Sequence, residues 1–379
     1  MKQTILWLSI STAFLLTAFA PSCRTVQPDF SRVDTLMQQA VCDTLIPGGV
    51  VCVVKDTGIV FIRAYGNRQV YPDTLPMTDS TLFDLASLSK PVSIASAVHR
   101  LAQMGKVDFN APVSRYIPDF EGNISVMHLL THTSGLPPYA NAKRMEKLYG
   151  AHNPEGLLDY ICHCPRDFEP GTDVRYSCLN FITLQHIIER VTGQDLRTAC
   201  HTLVFDSLGM THTDYCPDTT LCDNIAPTEF TSDSVLLKGV VHDPLARIMN
   251  NGLSGNAGLF SNAHDLARLA QHLLQHKDSA TVLQFTTVPD SLSFSYRTPG
   301  WQINNDELTY TGTRLSNRAC CHTGYTGTSM IIDPVNNLAV IILTNRVHPV
   351  DKGNVSPLRG AVTDAVADAL RIKPKERQY

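Results

Sequence analysis

The chain has 379 residues, of which 43% are apolar and 17% charged, with a formal net charge of −4 and a pI near 6.4. That length can bury a large core in one two-part domain or in two ordinary ones. A mildly acidic balance with no basic run excludes the electrostatic footprint of a nucleic-acid binder and leaves a globular protein as the expectation.

Lys2 precedes an apolar run, Ile5 to Ala20, that ends at Ala20-Pro21-Ser22-Cys23. It is long for a secretory segment and short for a membrane-spanning helix. Small residues before a cysteine resemble a bacterial lipoprotein signal, so 1–22 is expected to be a signal peptide and Cys23 the lipidated first residue. The expected location is the cell envelope, with a membrane anchor through that lipid. Residues 23–30 then read as a tether, and Val33 to Cys42 has helical apolar spacing. Gly49 to Lys55 and Ile59 to Tyr65 are β-branched runs joined by Asp56-Thr57-Gly58, a hairpin with a turn glycine. Cys52, inside the first run, reads as a buried thiol.

After Ser87 the apolar positions Val92, Ile94, Ala95, Val98, Leu101 and Ala102 predict a helix that stops at Gly105. The middle reads as helices broken by Pro/Gly-rich loops: Ile124 to Leu130, Pro154 to Cys162, Asn180 to Thr192, Asp195 to Phe205 and His264 to His276. Strands return at Tyr296 to Ile303, Ser329 to Asp333 and Leu338 to Leu343, followed by a helix from about Leu358 to Ile372. Strands at both ends around a helical middle predict an α/β fold, an antiparallel sheet flanked by helices with an all-helical insertion. The hydrolase domain is expected over 31–372, its α/β part at about 31–86 and 291–372 and its helical part at about 87–290, with a tail at 373–379.

The chemistry centres on Ser87 and Lys90, three apart where a helix begins, a spacing that puts both on one face. Ser87 then gains from the helix dipole, and its own N–H is free to meet an oxyanion. A desolvated Lys90 would lose its proton readily and could relay that of Ser87. Chance serine–lysine pairs are common, so three later stretches decide the matter. Tyr176, just before a helix, could take the serine's proton if its phenol lay near two cations; a core tyrosine is the bland alternative. Cys321-His322-Thr323-Gly324-Tyr325 leads into a strand where backbone can approach a substrate closely, with the Tyr325 N–H as a second oxyanion donor and His322 as a partial charge. His128 and His132, four apart without an intervening glutamate motif, read as structural histidines rather than metal ligands. Cys162-His163-Cys164 hints at zinc but lacks a second pair, so no metal and no cofactor is assigned.

In order and spacing, Ser87-x-x-Lys90, Leu129 to Pro137, Tyr176-Ser177-Cys178, Asn256 to Ser261 and His322-Thr323-Gly324 resemble the serine β-lactamase and penicillin-binding-protein superfamily. The likeness is greatest to its class C-like branch of DD-peptidases and family VIII esterases, and covers about Pro47 to Pro349. The resemblance implies Ser87 as the acylated nucleophile, Lys90 its partner, Tyr176 the general base and His322 a helper of the leaving group. Thr323, Gly324, Cys178 and Arg346 would bind substrate, and the N–H groups of Ser87 and Tyr325 would form the oxyanion hole. Cys178 stands where the family has Asn or Asp, and His322 stands where it usually has lysine. Three functions follow as expectations: a cell-wall peptide hydrolase of DD-carboxypeptidase type or a β-lactamase, with peptidoglycan as a partner; a carboxylesterase; or a binding or sensing protein that acylates without turnover. Arg346 either restores a charge for a substrate carboxylate or forms a surface salt bridge.

Overall fold

The computed structural model describes residues 27–305 and 307–373; the expected signal, Cys23 and the residues after 373 lie outside them. An eight-stranded antiparallel sheet is assembled from the two ends of the chain. The first end supplies β1 (Gly48–Lys55), β2 (Gly58–Gln69) and β3 (Leu75–Pro76). Three two- or three-residue strands follow: β4 (Phe83–Asp84), β5 (Asp214–Tyr215) and β6 (Leu259–Ser261). The second end supplies β7 (Arg297–Thr298), β8 (Trp301–Ile303), β9 (Cys320–Thr323), β10 (Ser329–Asp333) and β11 (Leu338–Thr344). The large sheet runs β3-β2-β1-β11-β10-β9-β8-β7, so the chain ends meet where β1 pairs with β11, Val51 opposite Ile342.

The strand period of two sorts side chains between two cores. Val50, Cys52, Val54, Cys320, Met330 and Ile341 face the helices of the middle segment. Val51, Val53, Cys321, Ile331, Val340 and Ile342 face the helices Ser31–Cys42 and Ser356–Ala369. Neighbouring Cys320 and Cys321 therefore point to opposite sides and stay free, and burial pushes the Cys52 thiol up to about 12. Phe30, expected in the tether, is buried and stacks on Phe61 with ring centroids 4.6 Å apart.

Three local expectations are corrected. In the β1–β2 turn it is Asp56, not Gly58, that adopts a left-handed backbone, with φ 57°. The stretch Tyr296 to Ile303 is a tight hairpin rather than one strand, because Pro299-Gly300 turns the chain and Gly300 takes φ 96°. The helix after Ser87 is not uniform. A 3-10 turn, Ala86–Leu88, leads into a wider π-helical stretch, Lys90–Ala95, and only Ser96–Gln103 is α-helical. Pro91 supplies no N–H there. The second sheet, β4-β6-β5, escaped the sequence reading because its strands are too short to show a period.

Candidate active site

Ser87 is set in place by the residues just before it. Asp84 is buried, and its two carboxylate oxygens accept from the backbone N–H of Ala86 (2.8 Å) and of His242 (2.7 Å). Burial pushes its carboxyl above the usual carboxylate range against those two bonds. Ala86 adopts φ 46°, a left-handed conformation that costs a non-glycine residue about 1 kcal/mol or more. The kink leaves Ser87 half-buried at the floor of a cleft, with no backbone partner for its N–H among the described residues.

Lys90 reaches back to the serine as the spacing requires. Its Nζ donates to Ser87 Oγ at 3.0 Å and to the Asn256 carbonyl at 2.7 Å, and its side chain is fully buried. Burial opposes the ammonium form, but the neighbouring Cys178, Tyr176 and Asp243 groups favour it, and the net effect holds the amine above the usual lysine range. In this arrangement the Lys90 amine donates to Ser87 Oγ.

Tyr176 is gripped from both sides by His132, itself at φ 60°. The His132 carbonyl accepts from Arg175 N (2.9 Å), and its Nδ1 accepts from Ser177 N and from Asn180 Nδ2, both at 3.1 Å. The two rings lie 4.4 Å apart. Complete burial, then Arg297, Lys90 and His322, hold the His132 pKa well below the ordinary value, so it is a neutral, structural histidine. Among the described residues the Tyr176 hydroxyl is buried without a hydrogen-bond partner. Two cations do face its ring: Lys90 Nζ at 5.0 Å and the Arg297 guanidinium at 5.6 Å from the centroid.

β9 is brought against the nucleophile by side-chain clamps. Thr326 Oγ1 donates to the Asp84 carbonyl (2.7 Å) and Thr328 Oγ1 to the Leu85 carbonyl (2.9 Å). Gly324 is required by that approach, since a Cβ there would lie 2.1 Å from Thr328 Oγ1 and 2.2 Å from the Leu85 oxygen. The following Tyr325 N–H has no partner among the described residues, as befits the second oxyanion donor. His322 is buried, and burial together with Lys90 and Arg297 pulls its pKa down to about 3. It carries no charge at neutral pH. Its Nδ1 donates to the Thr323 carbonyl at 2.9 Å, so Nε2, buried and unpartnered, presents a lone pair.

The cleft, of about 490 Å³, is lined by Ser87, Tyr176, His322, Thr323, Gly324 and Tyr325, and by three arginines, 297, 346 and 359. No acidic side chain lines it among the described residues. Arg346 does point here, but Asp351 binds it at 2.6 Å, and Asp351 also accepts from the Tyr325 hydroxyl. Arg297 has no acidic partner among the described residues. The sequence reading missed it because the hairpin that aims it was read as a plain strand; the Pro299-Gly300 pair two residues on was the available signal. The stretch from Asn256 to Ser261 stands among the sequence motifs, but the contact of Asn256 with Lys90 is visible only in the fold. Cys178 opens the Cys178–Thr192 helix with its thiol held up by burial against the pull of Lys90 and of the Asn256 side chain. The Asn256 side chain thus bears on that thiol, while its backbone carbonyl accepts from Lys90.

The histidines and cysteines considered for metal do not converge. His128 Nδ1 accepts from Ser125 N at 3.3 Å in a helix cap, Cys162 and Cys164 are buried, and His163 is exposed.

An antiparallel sheet closed by both chain ends, with a serine–lysine pair at the foot of an inserted helical region, defines the β-lactamase-like class of serine hydrolases. The chain belongs to the beta-lactamase family, whose sequence model matches residues 33–364. It is 33% identical, over 94% of both chains, to a Salmonella agona (strain SL483) protein provisionally named a D-alanyl-D-alanine carboxypeptidase. In structure it is similar to EstCE1, a hydrolase with promiscuous acyltransferase activity (TM-score 0.72, 24% identity, 89% of this chain and 97% of the other). It is also similar to a class C beta lactamase (TM-score 0.70, 19% identity, 89% and 97%). The protein is a serine hydrolase with the mixed α/β fold expected from its sequence.

Proposed function

We propose that this protein cleaves an amide in a substrate that carries a free carboxylate, a peptide ending in a D-amino acid or a β-lactam, through an acyl-enzyme on Ser87. The observation that carries the reading is the unpaired Arg297 guanidinium in a cleft without acidic lining, beside Ser87 and Tyr176. A carboxylate there gains a charge-assisted, bidentate partner, which the neutral His322 cannot supply.

In this reading Ser87 Oγ attacks the carbonyl carbon while the Ser87 and Tyr325 N–H groups hold the oxyanion. Tyr176, acting as a phenolate whose ring faces two cations, takes the serine's proton and passes it to the leaving amine as the C–N bond breaks. Lys90 keeps Ser87 Oγ in register, and its positive charge favours the phenolate form in which Tyr176 accepts that proton. A water then adds to the acyl carbon and frees Ser87, with Tyr176 again accepting the proton. Thr323 and Gly324 shape the strand edge, and Arg346 and Asp351 fix Tyr325. The similarity to a provisionally named D-alanyl-D-alanine carboxypeptidase supports peptidoglycan peptides as the substrate. Neutral His322 favours a second reading, a carboxylesterase acting on uncharged acyl groups.

Intact-protein mass spectrometry over time tests both. Wild type and Ser87→Ala are exposed to a penicillin, a peptide ending in D-alanyl-D-alanine and an activated short-chain ester. A transient adduct, or peptide cleavage, with the carboxylate-bearing reagents on wild type alone supports the proposal. Turnover of the ester alone moves the assignment to the carboxylesterase. A lasting adduct on Ser87 points to a sensing role, and no adduct at all refutes the acyl-enzyme.

A further inference from the structure

The cleft carries more unneutralised positive charge than one substrate carboxylate requires. Building on the function proposed above, we propose a second anion subsite at the Ser356–Ala369 end of the cleft, so that the preferred substrate is a dicarboxylate. One carboxylate goes to Arg297, the other to Arg359 and the first turn of that helix.

Arg359 is only 6% exposed and lines the cleft. Its Nη2 donates to the carbonyls of Gly324 (3.1 Å) and Thr328 (2.9 Å), while Nε is buried with no partner. No acidic group pairs with it among the described residues, and its charged neighbour is the cation Arg346. Burial pulls the guanidinium down to about 10, which still leaves it charged at neutral pH. A buried guanidinium without a counter-ion is costly, and the cost is recovered when an anion arrives.

The helix adds a second, independent set of donors. It spans 14 residues and begins without a side-chain cap. Asn354 Oδ1 takes the Ser356 N–H at 2.9 Å, Pro357 has none to give, and the Leu358 N–H has no partner among the described residues. Asn354 and Ser356 line the same cleft as Ser87. The positive end of the helix dipole thus borders the cleft that Arg359 lines. Asp351 is already committed to Arg346 and Tyr325.

Arg359 also supports the Gly324 carbonyl, so the test avoids changing it. Equilibrium binding is measured by calorimetry for linear α,ω-dicarboxylates from succinate to suberate and for the matching monocarboxylates. The proteins are wild type, Ser356→Asp and Asn354→Asp. Both substitutions place an anion at a helix start, where it favours folding, and unchanged melting confirms the fold. In wild type one chain length is expected to bind about tenfold or more tighter than its monocarboxylate, the gain of one charged hydrogen-bonding partner. In both variants that ratio is expected to fall towards one. Dicarboxylates that bind no more than about twofold tighter at every length, the statistical advantage of two equivalent ends, overturn the subsite, as does a preference that survives both variants. These acids do not react, so the binding result is independent of the acylation test: if neither penicillin, peptide nor ester acylates Ser87, the acyl-enzyme is refuted while a dicarboxylate preference leaves the subsite standing.

Discussion

Gly324→Ala tests the idea that catalysis depends on how closely β9 approaches the nucleophile. The added methyl would sit 2.2 Å from the Leu85 carbonyl oxygen, a backbone atom held by the turn that aims Ser87, and 2.1 Å from Thr328 Oγ1. Ordinary contact begins near 3.4 Å, so β9 and the Leu85 turn must part by roughly 1 Å. Overpacking of this size destabilises by about 1–3 kcal/mol. The two oxyanion donors lie on opposite sides of the gap, one on Ser87 and one on Tyr325. A misplacement of about 1 Å in a catalytic constellation costs on the order of 100-fold in rate. The assay is the acylation rate of Ser87 by a chromogenic β-lactam or ester, followed with thermal melting. A large loss of acylation with a melting point lowered by only a few degrees is the expected result. Acylation within about threefold of wild type would refute the claim that Gly324 sets the spacing of the oxyanion donors.

Arg297→Gln is expected to raise KM for carboxylate-bearing substrates by about 10- to 100-fold, the loss of a charged hydrogen-bonding partner, while an uncharged ester loses much less; comparing kcat/KM for the two classes checks it. Acid should weaken the fold through the buried histidines. His99 and His322 are held down to about 3 and His186 to about 4 by burial, so each stays neutral in the folded chain while the unfolded chain takes up protons below about 6.5. Stability is therefore greatest above pH 6.5 and falls towards pH 4, by on the order of 1 kcal/mol per histidine per pH unit, which denaturant melts across that range measure. Among the free cysteines, exposed Cys42 and Cys216 should take up iodoacetamide in the native protein, whereas Cys52, Cys200, Cys320 and Cys321 should react only after unfolding; peptide mapping after timed labelling reads the order.

The long elements were legible because their periods are long enough to declare themselves. β1, β10 and the Pro154–His163 helix fall within a residue or so of expectation, and the inserted helical middle follows from where β-branched runs stop and start again. Ser87 and Lys90 were legible because an i, i+3 pair is a local relation, and 3.0 Å between them is what that spacing delivers. What was not legible depends on contacts between distant segments. Arg297 is aimed by a hairpin of two- and three-residue strands, Asn256 meets Lys90 across 166 positions of sequence, and the charge state of Lys90 depends on Cys178, Tyr176 and Asp243. His322 shows the same limit from the other side. Its identity suggests a partial charge, and only its burial next to two cations makes it neutral.

The clamps from Thr326 and Thr328 to the carbonyls of Asp84 and Leu85 join positions 242 and 243 apart in sequence. The nucleophile is thus made early and its oxyanion partner late. A chain still being synthesised, or cut between β8 and Tyr325, holds Ser87 and Lys90 without the donor that lets them act. Such long-range closure is slow to form, and it postpones hydrolysis until the final strands have docked. A cell making this protein is thereby spared a half-built hydrolase, and activity itself reports that the last third of the chain is in place.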